Sequence, residues 1–541
     1  MKSENLQMLL AFVLVLAILF IWQLVFLPRR PQTQPVPAAP AGPTSPTSET
    51  VPAQPQPAPG LTSTASPVPE TTVTLQNQFI SLKLTSQGGA VKQVRLGKYN
   101  AELIPTDSTL LATVVQIQGQ SYDLAHWPVT VSVSDSSVTF SYALDAGPVT
   151  KTWTLGKDYT VGLTIKSASG LEALFFDCRA GISTTEQNFK EDLANFHFYA
   201  REGSRVHQVS YAQLKRRPFS CPADWLGLKS KYFLVALVRR NGRFDSTYAL
   251  ARPDGRIGCG AVSRTLRADS FWVYLGPIEY NRLRSFRLGL ENVVSLGWLK
   301  PIALGILWVL RLFYALFRNW GLAIIGFSVL MKGAFYPLTR TQTRQLRQMQ
   351  QLQPKIEELR RKYKDDPKML NEETMRLYRL YKINPLSGCL PLLVQMPIFF
   401  ALYAVLRTFI ELRGARFGLW LNDLSLPDTL FGHIPRGVPI IGGYALGLLP
   451  LLMGVSFIGQ NLLTATDKRN WTMTILFPVF ITAIFLNLSS GLQLYWFSYN
   501  VLSIVESVIA TKGGKLWVKS KSQTRPTGPT PNQPPPARTG S

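Results

Sequence analysis

The chain has 541 residues, is 46% hydrophobic and carries a formal net charge of +25. The length allows several domains, but the apolar residues cluster at 8–27 and again from 302 to 510, which excludes a single soluble domain. Much of the positive excess lies in loops and tails beside those runs, so it reads as a topogenic signal rather than a nucleic-acid surface, and no DNA partner is expected.

Residues 8–27 are apolar apart from Gln23, which is enough to span a bilayer core. The run ends in Phe26-Leu27-Pro28-Arg29-Arg30 with no small-residue cleavage site, so 1–27 reads as an uncleaved signal anchor. Residues 28–70 hold 13 prolines among Ala, Ser, Thr and Gln, the composition of an extended tether.

From 71 to 295 the hydrophobic period becomes two. Ile80, Leu82 and Leu84 alternate with Ser81, Lys83 and Thr85. Val131 and Val133 alternate with serines, and Tyr159, Val161, Leu163 and Ile165 with Thr160, Gly162, Thr164 and Lys166. Half-buried antiparallel strands in this number predict a large β-sandwich. It carries no nucleophile motif and no catalytic carboxylate pair; a sugar-binding cleft is the alternative use. Cys178, Cys221 and Cys259 allow one disulfide there and require none, while Cys389 begins an apolar run. The histidines show no ligand spacing, so neither a metal site nor a cofactor is expected.

Residues 296–319 mix apolar residues with Arg311, Arg318, Trp298 and Trp308, as in an amphipathic interfacial helix. Residues 320–337 read as a span carrying Lys332. An ionisable group inside a span costs about 2.5–3.5 kcal/mol on insertion scales and is usually turned toward protein or water. Lys332 lies 12 residues after Trp320, ~18 Å along the axis, and Pro337 lets the helix bend beyond it. Segment 338–389 has 12 Lys or Arg against six Asp or Glu, and its apolar residues recur at spacings of three and four. Asp365-Asp366-Pro367 divides it, a stop and restart that predicts an antiparallel helical hairpin. Its charge is either a solvated face or a docking surface for incoming chains and anionic lipid.

Further spans are expected at 390–410, 444–463, 471–488 and 492–510, giving six with the anchor. An even number places both termini and the 338–389 hairpin inside, and Asp467-Lys468-Arg469 and the basic tail 511–541 agree with positive-inside bias. That tail reads as disordered, and its end is proline-rich. The spans carry Gln395, Gln460, Asn487, Gln493, Asn500 and Glu506. Such groups serve either as interhelical glue or as the lining of a polar path. Lys332 either snorkels to the inner interface or receives something negative.

The run Asn384-Pro385-Leu386-Ser387-Gly388-Cys389-Leu390-Pro391-Leu392-Leu393-Val394-Gln395-Met396-Pro397-Ile398-Phe399-Phe400-Ala401-Leu402-Tyr403 resembles the signature of the YidC family of bacterial membrane protein insertases. Tyr336-Pro337-Leu338-Thr339, Leu352-Gln353-Pro354-Lys355-Ile356 and Ser490-Gly491-Leu492 match as well, and the segment order agrees over 1–510. The resemblance implies an α-helical polytopic inner-membrane protein with six spans and a five-helix insertase core. It further implies a large periplasmic β-supersandwich, similar to sugar mutarotases, and a cytoplasmic helical hairpin. A hydrophilic groove is implied, with Lys332 standing where the family carries arginine. Ser328 falls on a small hydroxyl position and Tyr495-Trp496 on a tyrosine pair of some relatives, with Gln395 and Asn500 as further lining. Leu393, Phe399 and Ile484 are expected to meet the client helix, and Pro337, Asn384, Pro385, Pro391, Pro397 and Gly491 to shape the backbone.

The function so implied is insertion of nascent membrane proteins into lipid, alone or with the Sec translocon, and with ribosome contact through the basic tail. No nucleotide motif is present. The alternatives are a secondary transporter or lipid flippase for an anionic solute, for which inverted repeats are missing, and an envelope carbohydrate enzyme anchored by the spans.

Overall fold

The computed structural model describes residues 69–186, 189–264, 268–381, 383, 390–435, 437–438, 441–464 and 472–523. The expected anchor at 1–27, nearly all of the tether, Asn384, Pro385, Cys389 and the end of the tail lie outside the described residues. The chain divides into two compact units, one holding Arg344–Gly388 and the other holding Pro55–Thr343 with Cys389–Ser541.

In the larger unit, strands between Thr72 and Pro277 form antiparallel sheets of four, nine and six strands. The period of two sets which faces meet. Val161, Leu163 and Ile165 are buried while Gly162, Thr164 and Lys166 point the other way. Val161 pairs with Val273 on one side, and Leu163 pairs with Phe271 and Trp153, so bulky side chains stack across three strands. One continuous core joins all three sheets. Val129–Val133 is an edge strand of the nine-stranded sheet, which leaves Val133 61% exposed despite its alternating pattern. Lys151 also lies inside, fully buried between Val149 and Trp153 in the inward phase of its strand.

Beyond the short helices of the β domain, the described helices are α1 (Lys300–Phe317), α2 (Trp320–Ala334), α3 (Tyr336–Lys362), α4 (Pro367–Leu380), α5 (Leu390–Thr408), α6 (Leu448–Thr464), α7 (Phe477–Phe485) and α8 (Ser490–Gln523). Local chemistry sets their ends. Arg318 turns left-handed at φ 53° and stops α1, and the Asn319 side chain then accepts from the Leu322 amide to start α2. The Asp366 carboxylate caps α4 by accepting from the amides of Lys368 and Met369, with Pro367 at the first turn. Asp428 accepts from the Leu449 amide at 2.8 Å and from the Trp420 indole at 3.0 Å, tying the loop after α5 to the start of α6.

Several boundaries differ from expectation. The helix holding Lys332 stops at Ala334, where Phe335 leaves helical geometry, and α3 resumes with Pro337 in its first turn. The stretch expected as a span over 471–488 is a π-helical turn, Thr472–Leu476, followed by the short α7. Residues 511–523, assigned to a disordered tail, continue α8, since no proline interrupts them. Among the described residues α1 alone is long and apolar enough to cross a bilayer by itself.

In the smaller unit the hairpin has a core of only three buried side chains, Leu352, Ile356 and Ile383, with Met349, Leu377 and Tyr378 packed against it.

Candidate functional site

The bundle in the larger unit exposes apolar side chains and buries a set of polar ones beside its apolar core. Leu322, Val329, Leu451, Val455, Val479 and Val505 are exposed, whereas Ser328, Ser456, Gln493, Asn500 and Ser503 are buried. A water-soluble bundle would reverse this, because exposed apolar surface in water is unfavourable.

The polar interior centres on Lys332. Its Nζ lies 2.7 Å from Glu506 Oε2 and donates to Ser503 Oγ at 2.8 Å, and it sits 5.0 Å from the centre of the Tyr499 ring. The other Glu506 oxygen accepts from Thr339 Oγ1 at 3.2 Å. The Lys332 and Glu506 side chains are 13% and 18% exposed, so the pair is largely withdrawn from solvent. Tyr495, Tyr499, Ser503 and Glu506 are spaced by four, four and three, which puts them on one stripe of α8. Phe327 continues the contact above, 5.8 Å from the Tyr495 ring.

The other expected site residues divide. Ser328 is not an open lining residue; it is fully buried, and its hydroxyl donates back to the Ile324 carbonyl at 2.9 Å and toward the Tyr495 carbonyl at 3.4 Å. Asn500 points to α6, donating to Ser456 Oγ at 3.4 Å, and so acts between α8 and α6 rather than beside Lys332. Gln395 is half-buried on α5. Trp496 Nε1 is buried with no hydrogen-bond partner among the described residues, while buried Tyr495 Oη has the Gln395 side chain beside it. Phe399 is half-buried and packs edge-on against Trp496 at 5.2 Å, so part of its face is already occupied. Ile484 is 37% exposed on α7. Leu393 and Pro391 belong to α5, but their side chains lie outside the described residues. Pro397 sits inside α5. A Cβ on Gly491 would stand 3.1 Å from the Leu424 carbonyl, so glycine permits the close approach of the loop to α8.

Tyr499 and Ser503 were not singled out in the sequence. Projecting a 3.6-residue period from Tyr495 reaches both and then Glu506, a signal that the search for polar residues in isolation passes over.

Residues 72–309 match the family model described as YidC periplasmic domain, and residues 312–516 match the one described as 60Kd inner membrane protein. The membrane protein insertase YidC of Pelobacter propionicus is 30% identical over 549 residues, covering 93% of this chain and 98% of that protein. The Vibrio cholerae insertase of the same name is 29% identical, covering 95% and 98%. A crystal structure titled as an active YidC insertase with its first transmembrane domain resolved aligns at 20% identity and TM-score 0.40, over 82% of this chain and 95% of the other.

Proposed function

This chain belongs to the YidC family of membrane protein insertases of the inner membrane, and from that premise we propose how its own residues carry insertion. Lys332 receives the hydrophilic tail of a client, while the client's apolar helix passes into lipid along the outer faces of α5 and α7. The observation that carries this reading is a cation in a polar seam of a bundle whose outside is apolar. Coulomb attraction strengthens as the dielectric falls, so a positive group in that seam lowers the cost of taking an acidic tail out of water. The Trp496 indole N–H, without a partner among the described residues, offers a further donor to a client backbone. Lipid burial at ~0.8 kcal/mol per CH₂ then favours release. Binding and transfer suffice, without a covalent step or a cofactor.

Contacts near the ends of the helices support the topology of this reading. Residues 72–309 correspond to the periplasmic domain of the family. Arg413, just past α5, bonds to Glu186 and Thr185 of that domain, which supports a periplasmic end for α5. α1 contacts this side at its start and again within its second half. Lys300 lies over the Tyr280 ring and Arg311 pairs with Glu411 at 2.7 Å. This supports α1 as an interfacial helix, with Lys332 toward the cytoplasm and both termini inside. The hairpin 344–383 is then cytoplasmic and meets clients first, and the basic tail suits ribosomal RNA. Cooperation with the Sec translocon belongs to this same reading.

Two measurements test it. A cysteine placed at 365 should resist impermeant reagents applied to intact cells; labelling from outside overturns the topology. Lys332→Ala should lower insertion of a client with an acidic tail by about tenfold, the worth of one charge-assisted hydrogen bond. The loss should be smaller for the same client with its acids neutralised, and Lys332→Arg should retain activity because the charge persists. Equal losses for both tails would reduce Lys332 to a packing role.

A further inference from the structure

A lysine ammonium has three N–H donors and no acceptor. Two of those of Lys332 are engaged, by the Glu506 carboxylate at 2.7 Å and the Ser503 hydroxyl at 2.8 Å, and the ammonium lies 5.0 Å from the centre of the Tyr499 ring. Ser503 is itself fixed, since its hydroxyl donates to the Tyr499 carbonyl at 2.8 Å and so presents a lone pair to the lysine. Among the described residues the seam's cation is therefore already paired. The seam contains a neutral pair that any incoming tail must open.

We propose that Glu506 is the selectivity element of this insertase, a built-in carboxylate that holds Lys332 until an acidic side chain of the client takes its place. The inference rests on Lys332 being the receptor for the tail.

The charge balance explains the selectivity. An arriving carboxylate restores an ion pair as it displaces Glu506, so the exchange leaves the lysine's countercharge in place. Either kind of tail takes Glu506 off the lysine, but an amide or hydroxyl also leaves the ammonium without a counterion, which is costly where water is scarce. The geometry also gives the displaced group somewhere to stay. Glu506 Oε1 is already held by Thr339 at the start of α3, so the carboxylate can leave Lys332 while keeping one hydrogen bond. Of the three acceptors around Nζ, the hydroxyl is locked to its own helix and the ring is packed, 6.1 Å from Tyr495. Glu506 alone bears the same charge as the incoming group.

The test uses the full chain in proteoliposomes and a single-span client with three aspartates in its tail, beside the same client with three asparagines. A photoreactive residue in the tail reports capture by crosslinking. Glu506→Gln keeps an oxygen acceptor for Lys332 but removes the competing charge. Its capture of the aspartate tail should rise about tenfold over the parent chain, and that of the asparagine tail distinctly less. The exchanged double variant, Lys332→Glu with Glu506→Lys, rebuilds the pair in reverse and should bring aspartate-tail capture back toward the parent level. Unchanged or lowered capture of the aspartate tail by Glu506→Gln overturns the proposal. So does an equal rise for both tails, which would mean a loosened helix contact, and so does an exchanged variant that behaves like Glu506→Gln. Lys332→Gln separates the two levels of inference. If it captures the aspartate tail as well as the parent does, the receptor reading itself fails; if it loses that capture while Glu506→Gln changes nothing, only the role of Glu506 fails.

Discussion

Burial is handled in two ways by lysines of this chain. Lys332 keeps a carboxylate partner, but Lys151 has only neutral ones: the Gly88 carbonyl at 2.9 Å, the Leu111 carbonyl at 2.7 Å and the Thr113 hydroxyl at 2.7 Å. Burial pushes the Lys151 amine down to about 7, and does the same to Lys229, which donates to the Val293 carbonyl and the Ser295 hydroxyl. In the unfolded chain such an amine titrates near 10.4, so above about pH 7 the unfolded state binds more protons and stability rises with pH. Below about pH 7 both states are protonated and the cost of burying the charge is fully present. Cys259, pushed above its ordinary range by its hydrogen bond with Cys178 and by burial, works in the opposite sense once unfolded thiols ionise near pH 8.5. Urea unfolding of the full chain in detergent should therefore show stability increasing from pH 7 to 8.5, by at most ~1.4 kcal/mol per pH unit for each lysine. Lys151→Met should cut that slope to about half, and an unchanged slope would mean that Lys151 is not its source. The alternation of Val149, Lys151 and Trp153 was not among the strands read from the sequence, and the three acceptors that satisfy Lys151 come from residues 38 to 63 positions away.

Elements whose pattern is local were readable, and those whose meaning depends on how helices cross were not. The period of two gave the β-sandwich core, and Asp366-Pro367 gave the start of α4. The directions of Ser328 and Asn500 depend on the rotation of α2 and α8 about their axes, which a single span's composition leaves open. A hydroxyl can also satisfy itself on its own helix, as Ser328 does, so a polar residue in a span need not face a polar path. The hairpin is the opposite case. Its pattern was plain, but the structure shows how little holds it, because Leu352, Ile356 and Ile383 are its only buried core side chains among the described residues. Truncating a buried isoleucine costs about 2–5 kcal/mol, comparable to everything so small a cluster supplies. Ile356→Ala should therefore bring the amides of 344–380 to nearly free hydrogen exchange while those of α8 beside Lys332 stay protected. Retained protection in the hairpin would show that something beyond this cluster stabilises it.

Across the larger unit, the β domain and the bundle share one charged joint. The Arg413 guanidinium lies 5.6 Å from the Phe233 ring centre, pairs with Glu186 at 3.0 Å and donates to the Thr185 carbonyl at 3.0 Å and to the Tyr99 carbonyl. Three separate segments of the β domain thus converge on one side chain that follows α5. Ile410, three residues earlier, is fully buried and counts among the β-domain core, and Arg407 donates to Asn195 at 3.4 Å. Glu186 is only 8% exposed, so removing Arg413 strands a buried carboxylate, a loss of about 3–5 kcal/mol for a pair of this kind. Each part keeps its own core, one centred on the sheets and one on Ile306, Phe327, Leu406 and Tyr495. Arg413→Ala should therefore weaken the joint without unfolding either part. Hydrogen exchange should rise at 185–186 and 410–413 while the central strands 160–167 and 268–277 remain protected. Arg413→Lys, which keeps the charge but loses the planar fork, should fall between. Adding Glu186→Gln to Arg413→Ala should recover part of the loss, since it removes the stranded charge rather than replacing the contact. If the double variant is no more protected than Arg413→Ala, the joint is held by the shared apolar packing around Ile410 and not by the ion pair.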